Sequence, residues 1–312
     1  MRPCLTRLNN MQTVPKKQNR IRAYYDLAKP GIIYGNAITA IAAFFFASDG
    51  HPQWWLFLAM MVGLSLVIGG SCVFNNFIDR DIDKDMTRTS ERSTVTGDIS
   101  GTSALVYGAI LLLAGITVLC LYTNAVALLA AIAGVVFYVM VYTPLKRRTV
   151  YSTLIGSISG ATPPVVGYAA VTHAFDLQAL ILFLILVFWQ MPHFYGIALY
   201  RLKEYGKASI PLMPIKRGIL RTKVEMIAYA FAFLIASISL SMLGYAGYVY
   251  FTVSLILGII WLWLGFQGFK RRVDDPEDNS GDNSKWGRKM FLFSLIVITV
   301  WSLALGLNPL LI

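Results

Sequence analysis

The residues with the plainest capacity for chemistry lie in Val73-Phe74-Asn75-Asn76-Phe77-Ile78-Asp79-Arg80-Asp81-Ile82-Asp83-Lys84-Asp85. Asn75, Asp79 and Asp83 recur at intervals of four. On an α-helix each such step advances about 400°, so the three side chains form one stripe roughly 12 Å long. Asp81 and Asp85 project from nearly the opposite side. Oxygen-bearing groups on one stripe repel, and the partial negative charge of a helix C-terminus adds to the strain. A divalent cation relieves both effects. Hard oxygen ligands with open positions suit Mg²⁺, which completes its shell with water and substrate phosphate. Arg88 and Arg92, with Lys146, Arg147 and Arg148 one loop further on, supply positive charge for phosphate oxygens. The plain alternative is a helix end dressed with local ion pairs among Asp79, Arg80, Asp83 and Lys84. Spacing alone leaves both readings open.

A second polar group lies in Trp189-Gln190-Met191-Pro192-His193-Phe194, followed by Tyr200-Arg201-Leu202-Lys203-Glu204-Tyr205. Pro192 should kink a helix and free a carbonyl. Gln190 and His193 fall in an apolar stretch, where polar groups are rare and purposeful. His193 can equally be a hydrogen-bonded packing residue, and Glu204 with Lys203 and Lys207 a solvated helix end. Asn36 either faces a pocket or bonds a neighbouring helix. Tyr142, one turn beyond Tyr138, is a site residue or part of an interfacial aromatic belt. Gly156 and Gly160 read as small residues for close helix packing, and Pro163-Pro164 as a kink. The Asn- and Ser-rich run from Asp274 to Asp282 reads as a disordered insertion.

The elements that must position these groups follow from composition. Of 312 residues, 56% are hydrophobic and 14% charged, and the mean hydropathy is +0.61. An ordinary soluble domain carries about 25% charged residues. A water-soluble globule, a coiled coil and a disulfide scaffold are excluded, and a polytopic membrane protein remains. Cys4, Cys72 and Cys120 have no metal-cluster spacing, and Cys72 and Cys120 read as inert packing residues.

Nine apolar stretches approach the ~20 residues that span a bilayer: 31–48, 54–75, 103–121, 125–143, 151–172, 177–200, 225–243, 248–266 and 290–309. The tail up to Lys29 and the loops after the second, fourth, sixth and eighth stretches hold all 27 Lys and Arg; the other loops hold none. Nine spans put every one of these positive segments on one side, inside, with the C-terminus outside. The net charge of +11 is therefore a membrane-topology signal, and no nucleic-acid partner is expected. Residues 1–28 read as a basic cytoplasmic tail. Residues 29–312 read as one all-α domain, nine helices around a central cavity that opens to the cytoplasmic side. Its cytoplasmic loops are 76–102, 144–150, 201–224 and 267–289. The second and sixth spans both end inside with polar residues at helical spacing, which suggests two facing halves of one pocket.

The stripe Asn75, Asp79, Asp83 at the inner end of the second of nine helices resembles the first signature of the UbiA-type intramembrane prenyltransferases. Lys29-Pro30-Gly31-Ile32, Trp189-Gln190-Met191-Pro192-His193-Phe194 and Ile210-Pro211-Leu212-Met213-Pro214 are similar to the haem-modifying branch of that family. The resemblance covers about residues 22–309. It implies Mg²⁺-dependent transfer of a farnesyl group from farnesyl diphosphate to a vinyl group of haem B, with water added, for terminal oxidase assembly in a bacterial inner membrane. It implies Asn75, Asp79 and Asp83 as metal and catalytic residues. It also implies diphosphate contacts from Arg88, Arg92, Lys146 and Lys203, and a haem or second-site role for His193, Tyr200 and Glu204. Asn36, Tyr142 and Gln190 become pocket residues. Two positions depart from the family pattern. Glu204 stands where relatives carry a second Asp-x-x-x-Asp, which puts a second metal in doubt. Ser93 follows Arg92 where many haem-branch members have Pro.

Three other classes compete. A prenyltransferase with an aromatic or quinone-precursor acceptor shares the acidic stripe but not the His193 run. A cation-coupled transporter should hold its ionisable residues near the bilayer midplane on broken helices, whereas these acids gather at one face. A non-catalytic oxidase assembly factor would need no acidic stripe.

Overall fold

The structure is a computed structural model of the chain, and it describes residues 19–86, 89–207, 210–270 and 282–311. Among the described residues there is no β-strand, and nine helices are long and apolar enough to cross a membrane. They are α1 (Pro30–Ala47), α2 (Trp54–Asp79), α3 (Gly101–Tyr122), α4 (Ala125–Leu145), α5 (Ser152–Thr172), α6 (Leu177–Tyr200), α7 (Ile219–Met242), α8 (Tyr248–Gln267) and α9 (Asp282–Leu307). The all-α, nine-span expectation is borne out. The Asp274–Asp282 run lies almost wholly outside the described residues.

Two helices begin earlier than hydropathy indicates. α7 starts at Ile219 and α9 at Asp282, because their first turns are charged yet still helical. Lys223 shows how such a turn is accommodated. It is fully buried and donates to the Gly268 carbonyl at 2.9 Å, with its ammonium 5.5 Å from the centre of the Trp286 ring.

Local sequence shapes the helices that carry polar groups. α5 is interrupted at Ala161, with Pro163 in the first turn of its second half. α6 continues as an α-helix through Pro192. α4 departs most from expectation: Val136–Tyr142 winds as a π-helix before Thr143–Leu145 returns to α. Such wide turns tend to mark functional sites.

The helices close into a bundle. α2 packs on α3, α1 on α5 and α9, and α6 on α7 and α9. Gly70 faces Gly108 across the α2–α3 contact, where a Cβ on Gly70 would lie 2.8 Å from the Gly108 carbonyl oxygen. That backbone approach fixes α2, which carries the acidic stripe. One apolar core joins α6 to α9 around Trp261, Trp301 and Tyr250, and a second joins the first five helices around Phe44, Met60 and Leu119. α1 buries Thr39, Ala40, Phe44 and Phe46 in its second half, whereas Ile32, Tyr34 and Ile38 in its first half are exposed. Cys72 is buried, but Cys120 is exposed among outward-facing apolar residues rather than packed. Residues 20–27 form a short helix whose Ala23 and Leu27 pack with Val73 and Ala104.

Gly70→Ala should already destabilise the bundle, by about 1–3 kcal/mol, the usual cost of overpacking. Thermal unfolding in detergent would show a lowered Tm, with a larger loss for Gly70→Leu.

Candidate active site

Asn75 and Asp79 lie on the last turns of α2. The α-helix stops at Asp79, and Asp83 belongs to a separate 3-10 turn, Asp83–Asp85. The single continuous helical stripe expected from the spacing is therefore corrected: its last member is presented by a turn. The inward direction persists, since Asn75, Asp79 and Asp83 are 3%, 1% and 5% exposed, while Asp81 and Asp85 face outward. Thr89 Oγ1 donates to the Asp83 carbonyl at 3.0 Å and braces the turn.

Buried carboxylates must be paired or neutralised. Here the partners come from other segments. Lys146, just beyond α4, bonds Asp79 Oδ2. Arg92 bonds Asp83 Oδ2 at 2.5 Å. Arg147 lies 3.8 Å from Asp79 Oδ1 and grips Asp81 through two 2.7 Å bonds. Those bonds hold the exposed Asp81 carboxyl down at about 2.

Asn75 is fixed on all sides. Its amide donates to Asp79 Oδ2 at 2.7 Å and to Thr143 Oγ1 at 3.0 Å. Thr143 Oγ1 in turn donates to the Tyr138 carbonyl at 2.8 Å, within the π-helical segment. The Asn75 carbonyl accepts from Lys29 Nζ at 2.7 Å. Lys29 adopts a left-handed backbone, φ 54° and ψ 65°, immediately before Pro30. A non-glycine residue there costs about 1–2 kcal/mol. Burial pushes the Lys29 ammonium down to about 8, and Arg92 and Lys146 add to the effect.

The donor set fits Mg²⁺. Asp79 Oδ1 is buried with no hydrogen-bond donor, an uncommon state for a carboxylate oxygen. Among the described residues no three His, Cys, Asp or Glu side chains gather as a metal cluster. Mg²⁺ needs no such cluster, since one or two carboxylates with water and phosphate suffice. Asn75 Oδ1 accepts from Lys29 and keeps a second lone pair with which it could join.

The second polar group lies between α6 and α9. His193 stacks on Trp189, ring centroids 4.7 Å apart, and its Nδ1 is 2.7 Å from Ser294 Oγ. Phe194 and Phe291 complete its aromatic surroundings. Gln190 donates to the Ser157 carbonyl at 3.0 Å.

The UbiA prenyltransferase family profile matches residues 36–295. The chain is 46% identical to the protoheme IX farnesyltransferase of Sodalis glossinidius (strain morsitans) over 289 residues, 92% of this chain and 95% of that protein. The chain belongs to the UbiA prenyltransferase family. It is similar in fold to a digeranylgeranylglyceryl phosphate synthase structure, with a TM-score of 0.77 at 19% identity over 94% of this chain and 99% of that one. A UbiA homolog from Archaeoglobus fulgidus bound to GPP and Mg²⁺ aligns with a TM-score of 0.61 at 15% identity, over 89% of this chain and 99% of that one.

In this UbiA-family chain the nominated residues fall into three groups. Asn75, Asp79, Asp83, Arg92 and Lys146 are brought together. Tyr142 stacks on Tyr138, with ring planes 13° apart, and covers Gly156. Gln190 fills the space over Gly160, where a Cβ would collide with its Oε1. The two glycines thus make room for site side chains rather than for a helix backbone. The remaining residues lie apart. Asn36 bonds its own helix at Ile32. Lys203 is exposed, and Tyr200 lies at the end of α6 beside Arg201 and Arg288. Glu204 pairs with Arg201 at 3.2 Å. Arg88 lies outside the described residues. Sequence reasoning missed Lys29 and Thr143 as site residues; only the Lys-Pro-Gly run hinted at the first.

Thr143→Val removes the acceptor that orients Asn75 and keeps the side chain's shape. Prenyl transfer should fall about fivefold, as expected for loss of one orienting hydrogen bond of about 1 kcal/mol. Lys29 generates a pH signature. Its positive charge fades as pH rises through about 8. Affinity for a prenyl diphosphate should therefore weaken from pH 7 to 9, whereas Lys29→Arg stays charged and should flatten that profile. Titration calorimetry reads both.

Proposed function

We propose that the chain transfers a farnesyl group from farnesyl diphosphate to a vinyl group of haem B, with addition of water, giving haem O for a terminal oxidase. The carrying observation is the buried Asp79–Asp83 pair, with one unfilled carboxylate oxygen, ringed by Lys29, Arg92, Lys146 and Arg147. Support for the acceptor is the 46% identity to a protein named for farnesylation of protoheme IX.

Asp79 and Asp83, with Asn75 assisting, would hold Mg²⁺, which when bound neutralises diphosphate charge and makes it a better leaving group. Lys146 and Arg92 act on the same diphosphate by turning from the carboxylates to phosphate oxygens, and Lys29 by turning from the Asn75 amide oxygen. The allylic C–O bond breaks, and its electron pair leaves with diphosphate. The stacked faces of Tyr138 and Tyr142 favour a nearby carbocation. The vinyl group's terminal carbon attacks the farnesyl carbon. Water captures the cation left beside the porphyrin and releases a proton. The bundle's apolar interior delays earlier quenching by water.

The charge distribution supports a bacterial inner-membrane orientation with the acidic site and N-terminus cytoplasmic and the C-terminus periplasmic. Purified protein given haem B, farnesyl diphosphate and Mg²⁺ should yield haem O by mass spectrometry. Asp79→Ala and Asp83→Ala should abolish it while the protein still inserts. Haem O formed by either variant would refute the metal assignment. Prenylation of an aromatic acid in place of haem would refute the acceptor.

A further inference from the structure

Two contacts of the Ser294 hydroxyl decide the protonation pattern of His193. Ser294 Oγ lies 2.6 Å from the Phe291 carbonyl oxygen and 2.7 Å from His193 Nδ1. The hydroxyl has one hydrogen, and the carbonyl can only accept. The hydroxyl hydrogen therefore belongs to the bond with Phe291. The contact with His193 must be filled by a hydrogen on Nδ1. A neutral imidazole has one N–H, so Nε2 carries a lone pair. Among the described residues Nε2 has no hydrogen-bond partner, and the ring is only half buried.

The surroundings hold this arrangement. Trp189, one turn before His193, stacks on the imidazole and donates its indole N–H to the Ser294 carbonyl at 2.9 Å. Two side chains of α6 thus bond the same residue of α9. The ring can neither flip nor swing without breaking contacts at both helices.

We propose that Ser294 is a positioning residue that fixes His193 in the Nδ1–H tautomer, so that Nε2 serves as an axial ligand to the iron of the acceptor. This rests on the reading of haem B as acceptor. An imidazole ligand whose other nitrogen donates a hydrogen bond is the usual way a protein fixes a metal-binding tautomer. A hydroxyl is a neutral acceptor and does not draw the imidazole towards its more basic, tighter-binding form as a carboxylate does. That suits a substrate that must leave after reaction. The apolar aromatic side chains of Trp189, Phe194 and Phe291 suit a largely apolar macrocycle.

The chain has three histidines, so ¹⁵N-histidine NMR of the ligand-free protein can resolve them. His193 should show a protonated Nδ1, and Ser294→Ala should give a mixture of tautomers. Haem B titrated into the wild type should give an imidazole-ligated absorption and EPR signature. His193→Gly should lose it, and added imidazole should restore it. Ser294→Ala should weaken haem B binding about 10- to 100-fold, the usual effect of losing such a second partner, with the KM for farnesyl diphosphate unmoved. Ser294→Thr keeps the hydroxyl and should keep the signature. A His193 protonated on Nε2 would overturn the tautomer. An unchanged haem spectrum in His193→Gly would overturn the ligation, even if haem O still formed. A His193-dependent haem signature in protein that makes no haem O would uphold the ligation while defeating the transfer reaction.

Discussion

The arrangement of the charged end of the bundle depends on the burial of two carboxylates, Asp79 and Asp83, at the end of one helix. Removing such groups from water costs several kcal/mol each unless charge is brought to them. The fold brings it from three directions: Lys29 ahead of α1, Arg92 beyond the Asp83 turn, and Lys146 with Arg147 after α4. The contacts that keep the ligand-free site tolerable thus gather cations that a diphosphate would need. Asn75 ties this ring together, since it bonds Lys29, Asp79 and Thr143 at once. On the proposed reading, substrate arrival is an exchange of partners at nearly fixed positions, with little new charge to desolvate.

The parts of this design legible in sequence are those with local or additive signals. Hydropathy places nine spans because transfer energy sums along each segment. The confinement of every Lys and Arg to alternate loops then fixes their common side. A four-residue spacing reveals that Asn75 and Asp79 share a face. The same spacing misleads at Asp83, where the helix ends and a 3-10 turn takes over. It also misplaces the starts of α7 and α9, since hydropathy penalises charge even where, as at Lys223, a carbonyl and an aromatic ring receive it. The unread features are long-range. Lys29 meets Asn75 from 46 residues away, Thr143 from 68, and His193 meets Ser294 from 101. Nor does any local pattern announce the π-helical winding that brings the Tyr138 carbonyl to Thr143.

On the proposed reading, the two polar groups divide the labour of a reaction between unlike molecules. The acidic ring addresses charge, at the end of α2. The His193–Ser294 pair lies within apolar helices, where a macrocycle and an isoprenoid chain dissolve. A membrane interior suits this division: it solvates the tails of both substrates and withholds water from a cation until the new carbon–carbon bond has formed. Gly156 and Gly160 serve it locally, since their missing side chains admit Tyr142 and Gln190 between α4, α5 and α6.

The most direct test of the central claim replaces Mg²⁺ by Mn²⁺ and supplies a non-reactive farnesyl thiodiphosphate. Pulsed EPR then reports which nuclei lie next to the metal. The account requires phosphorus coupling to Mn²⁺ in the wild type and its loss in Asp79→Asn. Mn²⁺ bound without phosphorus coupling, or bound equally well in Asp79→Asn, would contradict it.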